Sequence, residues 1–165
     1  MTGKTHIAGG VLVGVLAMKA QGIEFDASNM LMAMPAITLS SLAPDIDHMG
    51  SKLGRKFPLI AMLLTHRKET HRIYALIFFA FILLQIPTLP KWLTITCILA
   101  YGSHLVLDIL TPDGLDLFEF FGLFDVNIVF PITKIIPEGV FLLFFTSMNI
   151  WFIGKPLWNW IGGVL

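Results

Sequence analysis

Residues 73–89 and 92–107 are two apolar runs separated only by Pro90 and Lys91, and the first of them carries no charge. A helix needs about 20 apolar residues to cross the roughly 30 Å hydrocarbon layer, so each run comes close to spanning a bilayer. Side by side they read as a helical hairpin turning at Pro87, Pro90 and Lys91. Composition agrees: 56% of residues are apolar and 13% charged, against about 45–50% and 25% in soluble domains. The length, 165 residues, suits one domain. The expected fold is all-α, a multi-helix integral membrane bundle over residues 1–165. Spans are expected near 7–18, 30–43, 73–89, 92–107 and 139–154. Segment 115–131 is apolar but interrupted by Asp116, Glu119, Gly122, Asp125 and Asn127, which reads as interfacial or re-entrant. No segment needs a strand.

Lys4 followed by residues 7–18 has the charge and apolar core of a signal peptide, but no small-x-small cleavage pattern follows. This segment therefore reads as a retained helix. Its Gly9, Gly10 and Gly14 suit the close helix contact that membrane bundles use. Eleven basic and eleven acidic residues balance, so no nucleic-acid partner is expected. Cys97 is the single cysteine, which excludes an intrachain disulfide and any Cys-based zinc motif. A bound metal must be held by histidines and carboxylates.

Lys52, Arg55, Lys56, Arg67, Lys68 and Arg72 all fall between Met49 and Ile73, in the loop joining the second and third apolar segments, opposed there by Glu69 alone. The positive-inside rule makes this loop cytoplasmic. If every segment crosses, all five histidines reach the cytoplasmic helix ends: His6; His48, beside Asp45 and Asp47; His66 and His71; and His104, one turn before Asp108. The inner (plasma) membrane of a bacterium, crossed several times, is the expected location.

His104 and Asp108 stand at i and i+4, on one face of a helix and within reach of a common ion. They are either a ligand pair or a hydrogen-bonded tie between helix ends. Pro44-Asp45-Ile46-Asp47-His48 packs three candidate ligands behind a helix-ending proline. It is either a metal-binding knot or a solvated turn, with Asp45 and Asp47 expected to face the same way. His66 and His71 lie five apart, so a continuous helix would not aim both at one ion. His6 is either a ligand or an interfacial residue near Lys4. Together these groups exceed the four ligands of one tetrahedral zinc, and a mixed His-and-carboxylate set with surplus ligands suits one or two divalent ions, zinc first, with manganese or iron as alternatives.

The motifs Pro44-Asp45-Ile46-Asp47-His48, His66-Arg67 with Thr70-His71, and Ser103-His104-Leu105-Val106-Leu107-Asp108 with Thr111-Pro112-Asp113-Gly114 resemble the YdjM-type family of bacterial inner-membrane proteins. That family is described as candidate metal-dependent hydrolases. The resemblance covers about residues 4–114. It extends distantly to the zinc-dependent phospholipase C and single-strand nuclease superfamily, whose helical folds hold metals with a His-x-x-x-Asp pair. The resemblance implies metal ligation by His6, Asp45, His71, His104 and Asp108, with Asp47, His48 and His66 as further ligands or outer partners. Lys68 and Arg72 depart from the family's usual glycine and serine at those places.

The expected function is a membrane-bound metal-dependent hydrolase acting on phosphoesters or lipid headgroups, with Asp47 as general base. Its partners would be membrane lipids, including anionic headgroups drawn to the basic loop. The alternative is a non-catalytic metal-binding protein with a structural or stress-response role.

Overall fold

The computed structural model describes residues 1–65, 67–118 and 126–164. Its helices are α1 (Gly3–Ala20), α2 (Ala27–Leu42), α3 (Pro58–Leu63), α4 (Ile73–Leu84), α5 (Lys91–Ile109) and α6 (Glu138–Val164). Short 3-10 turns occupy Pro44–Asp47, Glu69–His71 and Ile132–Lys134. Among the described residues there is no strand; Leu115 and Ile128 form one isolated antiparallel bridge. Residues 119–125 of the expected interfacial segment lie outside the described residues.

Local chemistry sets the helix ends. Asp26 caps α2 by accepting the Asn29 amide at 2.7 Å, which satisfies one orphan donor of the first turn. Gly22 takes the left-handed turn after α1 with φ of 69°, a conformation that costs glycine little. α4 stops at Leu84, short of the apolar run's end at residue 89. Pro87 biases the residue before it away from the helical region, and helices usually end there or earlier. Twelve helical residues rise about 18 Å, well under the thickness of the hydrocarbon layer.

α5 is central, packing against α1, α2 and α4, while α6 lies on α1. Gly10 and Gly14 bring α1 onto α2. A Cβ on Gly10 would meet Ser41 Cβ at 2.4 Å, and one on Gly14 would meet Ile37 Cδ1 at 2.6 Å. Ile37 packs in a core of Met18, Ala33, Leu93, Cys97 and Ala100. Nearer the other end of α5, Tyr101, Leu105 and Leu115 form a second core.

Among the described residues, two helices are long and apolar enough to cross a membrane by length and composition, residues 91–109 and 138–156. α6 continues past the expected end at 154 and carries Pro156 inside it. α4 has no buried residue. Ile77, Phe78 and Phe81 of α4 are exposed, as are Leu143, Phe144 and Trp151 of α6. Apolar faces of this extent mark contact with a membrane or another protein.

Candidate metal centre

Chain direction collects the polar residues at one end. His6 lies in the first turns of α1, Asp45 just beyond the C-terminus of α2, His71 just before α4, and His104 and Asp108 in the last turns of α5. Since α5 packs against the other three helices, these side chains meet. The i, i+4 spacing on α5 puts His104 Nε2 3.4 Å from Asp108 Oδ2. His6 Nε2 is 3.2 Å from Asp108 Oδ1, and the His6 and His104 rings stack at 3.6 Å, 11° from parallel. His104 Nε2 is also 3.5 Å from Asp45 Oδ1. His71 Nε2 lies 3.5 Å from Asp108 Oδ2 and 3.9 Å from Asp45 Oδ1. His6, His71, His104 and Asp108 are each at most 2% exposed.

Two overlapping groups, His6, His104, Asp108 and Asp45, His71, His104, have donor atoms near enough to hold a metal ion. Ring orientation supports that chemistry. His104 Nδ1 lies 2.7 Å from the Ser41 carbonyl, which can only accept, so Nδ1 carries the hydrogen and Nε2 faces the cluster. This is the arrangement usual for a ligating imidazole, whose far nitrogen donates to a carbonyl or carboxylate. Neither His6 Nε2 nor His104 Nε2 makes a hydrogen bond among the described residues. A buried polar atom left in that state costs about 1–3 kcal/mol. A cation between these nitrogens and the two carboxylates would satisfy all of them. The N-terminal ammonium, 2.8 Å from Asp108 Oδ1, shows that this carboxylate accepts a cation.

Asp47 sits elsewhere. The sequence suggested an extended turn with Asp45 and Asp47 facing one way. The chain instead forms a 3-10 turn over Pro44–Asp47, where residues two apart point about 120° away from each other. Asp45 faces the cluster and Asp47 reaches behind His71. Asp47 Oδ2 accepts from the Arg67 amide at 3.0 Å and the Thr70 hydroxyl at 2.5 Å, and lies 3.2 Å from His71 Nδ1. Asp47 is 2% exposed, and one of its oxygens is shared among the Arg67 amide, the Thr70 hydroxyl and the His71 ring. His48 also departs from expectation. It follows the 3-10 turn with extended φ and ψ, is exposed, and belongs to neither donor group. His66 lies outside the described residues.

Sequence reasoning missed the supports. Arg67 adopts a left-handed φ of 61°, uncommon for a residue with a side chain. Its amide bonds Asp47, and its guanidinium bonds Asp113 at 2.7 Å while reaching within 4.0 Å of Asp108. Tyr101 Oη donates to the Thr70 carbonyl at 2.5 Å, tying α5 to the turn that carries His71. Glu138 accepts from the Thr2 amide at 2.6 Å and the Thr5 hydroxyl at 2.5 Å, fixing the start of α6 to the start of α1. The signals existed, since Arg67, Thr70 and Asp113 lie within motifs that contain the histidines or follow Asp108, but nothing in spacing alone pairs them.

A family model described as YdjM inner membrane protein matches residues 1–164. A Bacillus subtilis (strain 168) protein described as uncharacterized protein YvsG is 38% identical over 122 residues, 71% of this chain and 72% of that protein. Inner membrane protein YdjM of Escherichia coli (strain K12) is 31% identical over 126 residues, as is that of Shigella flexneri. Those matches cover 71% of this chain and 64% of each relative, less than two thirds of their length. No solved structure matches the chain. Matched along nearly all of its length, the chain belongs to the YdjM family of inner membrane proteins.

Proposed function

We propose that the chain is a multi-pass membrane hydrolase dependent on a divalent metal, acting on phosphoesters or lipid headgroups at the cytoplasmic face. The observation that carries this reading is the convergence of His6, Asp45, His71, His104 and Asp108 at one end of the bundle. Ligands 2.0–2.1 Å from a tetrahedral zinc lie about 3.3 Å apart, and the donor separations here run from 3.2 to 3.9 Å. With Nδ1 bonded to Ser41, His104 has one nitrogen to offer, and both donor groups use His104. That sharing favours one ion over two. Three imidazoles and two carboxylates suit zinc, with manganese or iron as alternatives.

Such an ion, when bound, supplies Lewis acidity toward a phosphoryl oxygen. The protein's part is orientation. Ser41 fixes the His104 ring, Asp47 and Thr70 fix His71, and burial keeps water away from all but Asp45, whose side chain is 16% exposed. The metal-loaded protein in anionic bilayers is expected to release phosphate or headgroup from a phosphodiester or phospholipid, to stop on chelation, and to recover with zinc or manganese. Metal-loaded protein without chelator-sensitive release would leave the second reading, a structural ion tying helix ends. The burial of His6, His71, His104 and Asp108 favours that alternative.

The cytoplasmic orientation rests on the basic loop that contains Lys56. Lys56 lies between α2 and α3, at the cluster end of the bundle, and Ser28 begins α2 at the other end. In a variant lacking Cys97, Ser28→Cys should react with a membrane-impermeant thiol reagent applied from outside, and Lys56→Cys only after the membrane is opened. The reverse pattern would invert the orientation.

A further inference from the structure

We propose that α3 is an interfacial anchor, lying flat in the anionic leaflet at the cluster end of the bundle with its apolar face against the acyl chains; the anchor is independent of whether the metal centre hydrolyses anything. Phe57-Pro58-Leu59-Ile60-Ala61-Met62-Leu63 interrupts the basic loop with an apolar stretch. Pro58 opens the helix, where its missing N–H is no loss and its φ is already helical. Leu59, Met62 and Leu63 fall on one face by their i, i+3, i+4 spacing, and they are 75%, 71% and 85% exposed. Phe57 beside them is exposed, whereas Ala61 on the opposite face is buried.

The segment is tied down with this face outward. Ser51 Oγ donates to the Asp45 carbonyl at 2.6 Å and accepts from the Gly54 amide at 2.8 Å, and α3 packs on the 3-10 turn Pro44–Asp47. A contiguous apolar face held in this way marks contact with a membrane or a protein. Length excludes a crossing, since six helical residues rise about 9 Å against a hydrocarbon layer of roughly 30 Å. Charge decides between the remaining occupants. Lys52, Arg55 and Lys56 precede α3 and Lys68 follows it, all exposed. Among the described residues none of these four forms an ion pair. Glu69, the one acid between Met49 and Ile73, accepts from the Thr65 amide at 2.8 Å. Cations on both sides of an exposed apolar face complement anionic headgroups laid over acyl chains. A second copy docked symmetrically on the same face would instead bring like charges together. In the leaflet, α3 holds the turn that carries Asp45 against the headgroup layer.

The test uses the full chain lacking Cys97, with a nitroxide label at Leu59→Cys or Leu63→Cys, in nanodiscs of phosphatidylcholine with phosphatidylglycerol. Both side chains are exposed, so the substitutions spare the core. Collisions with oxygen, which concentrates in lipid, and with a water-soluble nickel chelate give the depth of each label. Labels at both positions should favour oxygen and resist nickel, while a label at Lys56→Cys should stay open to nickel. Omitting phosphatidylglycerol, or replacing Lys52, Arg55 and Lys56 together with glutamine, should move positions 59 and 63 toward water, since each cation near an anionic surface is worth about fivefold in partitioning. Salt at about 1 M, where the Debye length is about 3 Å, should do the same in the anionic discs. Three results overturn the proposal. Positions 59 and 63 as open to nickel as position 56 would place α3 in water, and shielding from both reagents would place it under protein. A depth that ignores phosphatidylglycerol would remove the charge complementarity.

Discussion

Replacing His104 with alanine is expected to lower metal affinity by more than about 100-fold, beyond the 10–100-fold that loss of an outer partner costs. His104 belongs to both donor groups and stands 3.4 Å from Asp108 and 3.5 Å from Asp45. Its loss leaves the two carboxylates sharing one fewer nitrogen and removes the ring stacked on His6. Asp108→Ala should act similarly, because Asp108 meets His6 through Oδ1 and His71 and His104 through Oδ2. His48→Ala, outside both groups, should leave metal content unaltered. Elemental analysis of purified variants, with circular dichroism to confirm retained helix, reads these outcomes. Full metal retention in folded His104→Ala and Asp108→Ala proteins would make the pair a tie between helices, with no ion.

What the sequence discloses here follows from which rules are local. The apolar run at 92–107 and the i, i+4 spacing of His104 and Asp108 depend only on helix period, and α5 carries both. Likewise, Gly10 and Gly14 signal close packing whatever their partner; that the partners are Ser41 and Ile37 emerges only in the fold. Direction of travel along alternating helices brings His6, Asp45 and His71 to the end of α5 that holds Asp108, so the convergence is legible once the helices are placed. The turn at Pro44–Asp47 is not legible in this way. An extended turn and a 3-10 turn both accommodate the residues Pro-Asp-Ile-Asp, and they send Asp47 in different directions. The left-handed Arg67 is hidden for a related reason: its backbone is fixed by Asp47 and its side chain by Asp113, 20 and 46 positions away. Hydropathy carries the apolar run to position 89, whereas α4 ends at Leu84, ahead of Pro87, because helix geometry is lost before a proline that hydropathy does not register.

Asp47→Asn separates two roles that the sequence alone assigns equally well. If Asp47 positions His71, the variant should bind metal about 10–100-fold more weakly, the range for partners that orient a ligating histidine. Turnover at saturating metal should then change little. If Asp47 were the base, metal affinity would hold and turnover would collapse at every metal concentration. The geometry favours the first outcome. One oxygen of Asp47 meets the Arg67 amide, the Thr70 hydroxyl and His71 Nδ1. An asparagine oxygen can still accept from His71, but its NH2 group donates, so it cannot reproduce the carboxylate's set of acceptors. Loss of the negative charge also withdraws the polarisation that raises the basicity of the ligating nitrogen. Metal titrations of both proteins, followed by activity measurements at saturation, distinguish the cases; unchanged metal affinity in Asp47→Asn would remove the positioning role.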